Sequence, residues 1–163
     1  MNGLHNLTSQ LTDSWLIKES DLNVYLSALA MQGKQKTVKK SDQQLYSWYY
    51  HSSKLEFSWD FEKAPEGSVA VIDIDGITLK GGSYYSLGYV HLIAQLKKAL
   101  DSDEIVGIVL RVDSPGGQLS GLQTFIDLIQ SSEKPIYAFV NDGKALRLIC
   151  KAAQIRLYHV PNL

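Results

Sequence analysis

The sequence predicts an α/β fold with a mostly parallel sheet, preceded by a short, partly helical N-terminal arm. Three observations carry this expectation. From Ser68 onward, short apolar runs alternate with amphipathic helical patterns in the order strand, helix, strand, helix, strand, which is the signature of right-handed crossovers. Two of those runs, Ile105 to Val112 and Ile136 to Val140, are apolar almost throughout, as suits strands covered on both faces. Residues 1–67 read differently, being polar and aromatic-rich with one helical pattern. The expected division is therefore an arm over 1–67 and an α/β domain over 68–163.

In the arm, Leu22, Tyr25, Leu26 and Leu29 recur at helical spacing, with Ser20 able to cap the start and Gly33 able to end it. Lys34, Lys36, Lys39 and Lys40 follow in a solvated loop or a basic contact surface. The aromatics between Tyr46 and Phe61 suit either a ligand platform or packing of the arm onto its own domain or a neighbouring subunit. In the domain, Val69 to Ile74 is a strand ending in the turn signal Asp75-Gly76. Tyr89 to Leu100 sets Leu92, Ile93, Leu96 and Leu100 on one helical face, and Gln118 to Gln130 does the same for Leu119, Leu122, Phe125, Ile126 and Ile129. Lys134-Pro135 introduces the last of the buried strands.

Composition bounds the function. At 163 residues, 45% apolar and 20% charged, the chain can bury a core and is not disordered by composition. Sixteen basic and 17 acidic residues leave a net charge of −1, which argues against nucleic acid as a general partner. The single cysteine excludes an intrachain disulfide and most cysteine-based metal sites, and it fits a reducing compartment. No apolar run approaches the roughly 18 residues of a membrane span. Met1 to Leu16 lacks the basic start and apolar block of a signal peptide. A cytoplasmic protein without bound metal or cofactor is expected.

The segment richest in chemistry is Arg111-Val112-Asp113-Ser114-Pro115-Gly116-Gly117-Gln118, where an apolar strand hands over to a helical pattern. Glycines there free the backbone and leave amides uncovered at a helix N-terminus. Such amides can receive a phosphate or the carbonyl oxygen of an acyl-transfer transition state. Ser-Pro-Gly-Gly is also ordinary turn chemistry, and the segment alone leaves both readings open.

Four blocks in order extend the picture: Val71 to Ile77, Asp101 to Leu110, Asp113 to Gly117, and Lys134 to Gly143. Together they resemble the signal peptide peptidase A family of serine peptidases, within the Clp protease and crotonase-like superfamily. Asn141-Asp142 and the arm's Trp15-Leu16-Ile17 look most like its phage-encoded branch of head-maturation proteases. The resemblance implies a crotonase-like βαβ core and a Ser/Lys dyad acting on polypeptide. It also implies an oxyanion hole at the backbone of Gly116 and Gly117, and a scaffold or other capsid protein as partner. A lysine can serve as the base where burial lowers its pKa.

The implied serine is absent. Where it would stand, just past Ala145, the chain has Leu146 and Arg147, and the base lysine would lie beyond Leu163. Lys80, Lys144 and Lys151 do not fit as substitutes on spacing, so the chain as written is expected to be inactive. Beyond Asp142 there is no acidic residue, while Lys144, Arg147, Lys151 and Arg156 are basic. Read one base early, the codons of 146–158 can encode Ser or Ala at each of the first two places, with Tyr, Leu or Met, Gln, and Gly or Ser among the places that follow. Farther on they can encode Ala-Asp-Lys-Ile. That string resembles the family's nucleophile helix, and a frameshifted or disrupted copy is the expectation. An incomplete sheet would expose apolar surface and an unpaired edge, so the isolated chain is expected to be poorly soluble or a homo-oligomer.

Two further readings differ in class. One is a catalytically inactive binding or assembly module of the same fold. The other is a crotonase-like acyl-thioester enzyme, which the Pro115-Gly116-Gly117 loop permits but the Lys134 to Gly143 block fits less well. Cys150 and His159 could suggest a thiol and base, without defined geometry. His5, His51 and His91 lack metal-ligand spacing. Asp73 and Asp75 alternate with apolar residues and should share a face, as a carboxylate pair or as strand-end solvation.

Overall fold

The computed structural model describes residues 14–17, 19–24, 47–52, 54–58, 61–82, 87–140 and 156–159. The expected alternation is present. Strand β4 (Ser68–Asp75) leads to helix α1 (Tyr89–Asp101), then β5 (Ile105–Asp113), helix α2 (Leu122–Gln130) and β7 (Ile136–Val140); a further strand that the sequence reading did not expect, β8 (Arg156–His159), pairs with β7. Strands β4, β5, β7 and β8 pair in parallel, with Ile72 beside Leu110, Leu110 beside Ala138, and Ala138 beside Leu157. Both crossovers step the same way along the sheet, so right-handedness puts α1 and α2 on one face.

That face is the core. Ala70, Ile72, Ile74, Ile108, Leu110, Val112, Ala138 and Val140 are buried beneath Tyr89, Leu92, Leu96 and Ala99 of α1 and Leu122, Phe125, Ile126 and Ile129 of α2. The Tyr89 and Phe125 rings meet at 6.2 Å between centroids, tilted by 50°, and join the two helices. Helix α1 ends against a neighbouring loop: Lys134 Nζ donates to the carbonyls of Ala99 at 3.0 Å and Ser102 at 2.6 Å. A cation at a helix C-terminus satisfies carbonyls that have no partner within the helix.

The sheet is not mostly parallel, as the sequence suggested, but mixed. A hairpin of β2 (Ser47–His51) and β3 (Lys54–Ser58) adds to the free edge of β4 in antiparallel sense, giving the order β3-β2-β4-β5-β7-β8. The cause is the aromatic run itself. Trp48 pairs with Val71 and Tyr49 with Ala70, so residues read as arm packing become strand residues on their own domain. Tyr49 is buried and its hydroxyl donates to Glu56 Oε2 at 3.1 Å. Phe61, in a 3-10 turn over Phe61–Lys63, is also buried. Of the expected arm helix, residues 19–24 are helical; Tyr25 to Gly33 and the lysine-bearing loop lie outside the described residues.

Helix α2 also starts later than the periodicity suggested, at Leu122 rather than Gln118. Gly117–Gln118 instead forms a short strand, β6, antiparallel to β1 (Trp15–Leu16). Gly121 then turns the chain into the helix at φ +91°, a left-handed conformation that glycine adopts at no steric cost. Leu119, expected on the buried stripe, is left 42% exposed. Among the described residues no helix is long and apolar enough to cross a membrane.

Candidate functional site

Parallel α/β sheets bind ligands at the carboxyl ends of their strands, and the features of interest gather there. Strand β5 ends at Asp113 and the chain turns through Ser114, Pro115 and Gly116 into β6. This loop is clamped by Thr78, which follows β4. Thr78 N–H donates to Gly116 O at 3.0 Å, and Gln118 N–H donates to Thr78 O at 2.9 Å. The Gln118 side chain closes the clamp by accepting from Lys80 N–H through Oε1 at 2.9 Å. A Cβ on Gly117 would fall 1.9 Å from Thr78 O, so only glycine permits this approach.

Ser114 is buried and organises the loop from within. Its Oγ accepts from Gly116 N–H at 3.2 Å, lies 3.3 Å from Gly116 O, and stands 3.5 Å from Thr78 Oγ1. Gly116 takes a φ of +124° to make this turn. Both glycines are buried. The expectation that their amides open at a helix N-terminus is therefore corrected. They lie upstream of α2, one bonded to a side chain within the loop and the other in the β1–β6 pair. The reason is non-local: Thr78 and Leu16 lie far away in sequence and claim this stretch as a strand.

Beside the loop, an open cleft of about 430 Å³ is lined by Asp73, Asp75, Arg111, Asp113 and Phe139 among others. Arg111 binds Asp73 bidentately, Nε to Oδ1 at 2.5 Å and Nη2 to Oδ2 at 2.7 Å. These hydrogen bonds raise the guanidinium pKa above its usual value, against the opposing effect of partial burial. Asp73 and Asp75 do share a face, but the neighbouring strand gives them different partners: Asp73 sits beside Arg111, and Asp75 beside Asp113. Among the described residues, no three His, Cys, Asp or Glu side chains gather as metal ligands would.

The remaining candidates fall elsewhere. Lys80 is exposed. His51 Nδ1 lies 3.4 Å from Ser68 Oγ, but Ser68 is fully buried and donates to Pro65 O at 2.5 Å, which ties the hairpin to β4 and leaves no accessible nucleophile. His91 Nδ1 accepts from Gly88 N–H at 3.4 Å and closes the start of α1. His159 ends β8, paired with Val140. Leu146, Arg147, Lys144, Cys150, Lys151 and His5 lie outside the described residues. Sequence reasoning missed Thr78 and Gln118. The Arg111 to Gln118 segment ends on Gln118, but nothing near it in sequence signals a partner 40 residues upstream.

No protein-family model matches the chain. Two phage proteins do. Head-tail preconnector protein GP5 of Enterobacteria phage P21 is 35% identical over 74 residues, covering 43% of this chain and 15% of the relative. Capsid assembly protease C of Escherichia phage lambda is 36% identical over 74 residues, covering 43% of this chain and 17% of that relative. The similarity is to phage capsid-assembly proteins. The match thus spans under a fifth of either relative's length.

Proposed function

We propose that this chain carries the peptidase-like α/β unit of a capsid-assembly serine peptidase in a form that lacks its nucleophile. Its polypeptide partner would be a capsid or scaffold protein, met in the setting of a capsid precursor. One observation carries most of the weight: a Ser-Pro-Gly-Gly loop leaves the carboxyl end of a central parallel strand and is locked against Thr78. The names of the two phage relatives supply the polypeptide and capsid setting.

In this reading the backbone of Gly116 and Gly117 forms the oxyanion site. Fixed amides stabilise the negative charge that develops on a carbonyl oxygen during acyl transfer. The Gly116 amide donates to Ser114 Oγ at 3.2 Å, and it becomes available when the Ser114 side chain rotates away from that bond. The nucleophile position falls at Leu146 or Arg147. Neither can attack a carbonyl, so the chain would bind polypeptide without hydrolysing it. A catalytically inactive binding or assembly module of the same fold, working as a homo-oligomer, is the alternative that shares this chemistry.

The coding DNA and one expression experiment test the proposal. Shifting the frame by one base at codon 146 should place a serine at one of the first two positions and restore casein cleavage. Replacing that serine with alanine should abolish cleavage again. A codon set that cannot encode the serine would leave the inactive module; a frame-restored protein that folds but cleaves nothing would end the peptidase reading.

A further inference from the structure

The Gly117–Gln118 strand is held on both sides, and the two sides differ in kind. On one side Thr78 forms an isolated parallel bridge to Gly117 and accepts from Gln118 N–H; Thr78 is itself 1% exposed and continuous with the core. On the other side stands β1, only two residues long, reached from the body of the fold through residues 17–46. Leu16 faces Gly117, Trp15 faces Gln118, and Leu119 N–H donates to Ser14 O at 2.8 Å. Trp15 and Leu16 are half-buried, and Leu16 packs against the main apolar core.

An extended segment laid antiparallel on a short strand is how proteins bind polypeptide by strand addition. Here that position is filled by the chain's own N-terminal segment, beside the glycine backbone assigned above to the reacting carbonyl. We propose that residues 14–16 are an exchangeable resident strand. They occupy the polypeptide-docking edge of Gly117–Gln118 in cis, and yield it to an extended segment with an aliphatic side chain at the Leu16 register. This rests on the reading of the Ser114–Gly117 loop as a polypeptide-binding loop, and adds to it a regulation and a side-chain preference.

The preference follows from the packing. In an antiparallel pair, neighbouring residues face opposite ways, so a docked segment presents one side chain to the core where Leu16 now lies and the next to the other face, where the half-buried Trp15 lies beside Gln118. Main-chain hydrogen bonds supply much of the contact and are indifferent to sequence. The core-facing position selects. A charged residue there would be buried without a partner.

The register supplies the test. Leu119 and Ser14 share a hydrogen bond, so Trp15 and Gln118 form the adjacent, close non-hydrogen-bonded pair, at a separation that suits a disulfide. The full chain carrying Trp15→Cys and Gln118→Cys, with Cys150→Ser, is titrated against a fluorescein-labelled peptide of residues 11–20. The reduced protein should bind the peptide, and the oxidised protein at least tenfold more weakly. Equal affinity in both states, or no binding by the reduced protein, overturns the proposal.

Should that variant fail to fold, hydrogen exchange of the wild-type chain decides. The Leu119 amide, bonded to Ser14, should exchange at least tenfold faster than the Gln118 amide, bonded to Thr78; equal protection means β1 is a fixed strand. The two readings fail separately. Peptide exchange without cleavage by the frame-restored protein removes the peptidase assignment alone. Cleavage that is the same with the disulfide open or closed removes the resident strand alone.

Discussion

Replacing Gly117 with alanine should destabilise the protein far more than replacing a glycine in open space. The added Cβ would lie 1.9 Å from Thr78 O and 2.7 Å from Thr78 C, both backbone atoms, so the loop must withdraw. Withdrawal breaks the Gln118 N–H to Thr78 O bond and the Thr78 N–H to Gly116 O bond, at 2.9 and 3.0 Å. Each net backbone hydrogen bond is worth about 1 kcal/mol, and a buried group left unpaired costs about 1–3 kcal/mol. The expected loss is about 3 kcal/mol, a substantial part of the roughly 5–15 kcal/mol of a typical domain. At about 2–4 °C per kcal/mol for chains of this size, the melting temperature should fall by roughly 6–12 °C. Gly81 has nothing within 4 Å of an added Cβ, and Gly81→Ala should stay within about 0.5 kcal/mol of wild type. Thermal and urea unfolding of both variants measure this. A Gly117→Ala protein that melts with the Gly81→Ala control would refute the clamped loop.

Lys134→Met keeps the stem but removes both donations to the end of α1; urea unfolding should show a loss of about 1–2 kcal/mol. Tyr89 is buried, which pushes its pKa up to about 12 from 10.0. The folded state thus favours the neutral phenol, and this contribution is complete below pH 10 and lost as pH rises toward 12. Two pKa units correspond to about 2.7 kcal/mol, so the alkaline fall in stability should be shallower in Tyr89→Phe than in wild type, and an identical fall would contradict it. Asp73→Asn should cost at most about 1 kcal/mol, because the Arg111 pair is 49% and 38% exposed; high salt should shrink the difference in a double-mutant cycle with Arg111→Gln.

The parallel half of the fold was legible because its signals are local. Val69 to Ile74, Ile105 to Val112 and Ile136 to Val140 announce buried strands by composition, and Leu92 and Leu96 announce α1 by spacing. The antiparallel hairpin was not. Its turn holds Ser52 at φ +48°, where an Asn-Gly or Asp-Gly pair would have signalled two strands. The start of α2 was misread because Gln118 and Leu119 satisfy helical periodicity, while the partners that make Gly117–Gln118 a strand, Leu16, Trp15 and Thr78, are distant in sequence. The same distance hid the site's clamp. Asp73 and Arg111 stand 38 positions apart and meet only because β4 and β5 pair in register. Gly116 takes a positive φ and Gly117 a close backbone approach to Thr78, and the burial of both depends on those long-range contacts.

A peptidase-like unit without its nucleophile leaves a fluorophosphonate no reactive serine, which treating the purified full chain with that reagent and mapping the product by mass spectrometry tests. No serine should carry a stoichiometric label, and the same preparation should not turn over casein. One serine labelled to completion, with casein cleavage lost in step, would contradict it.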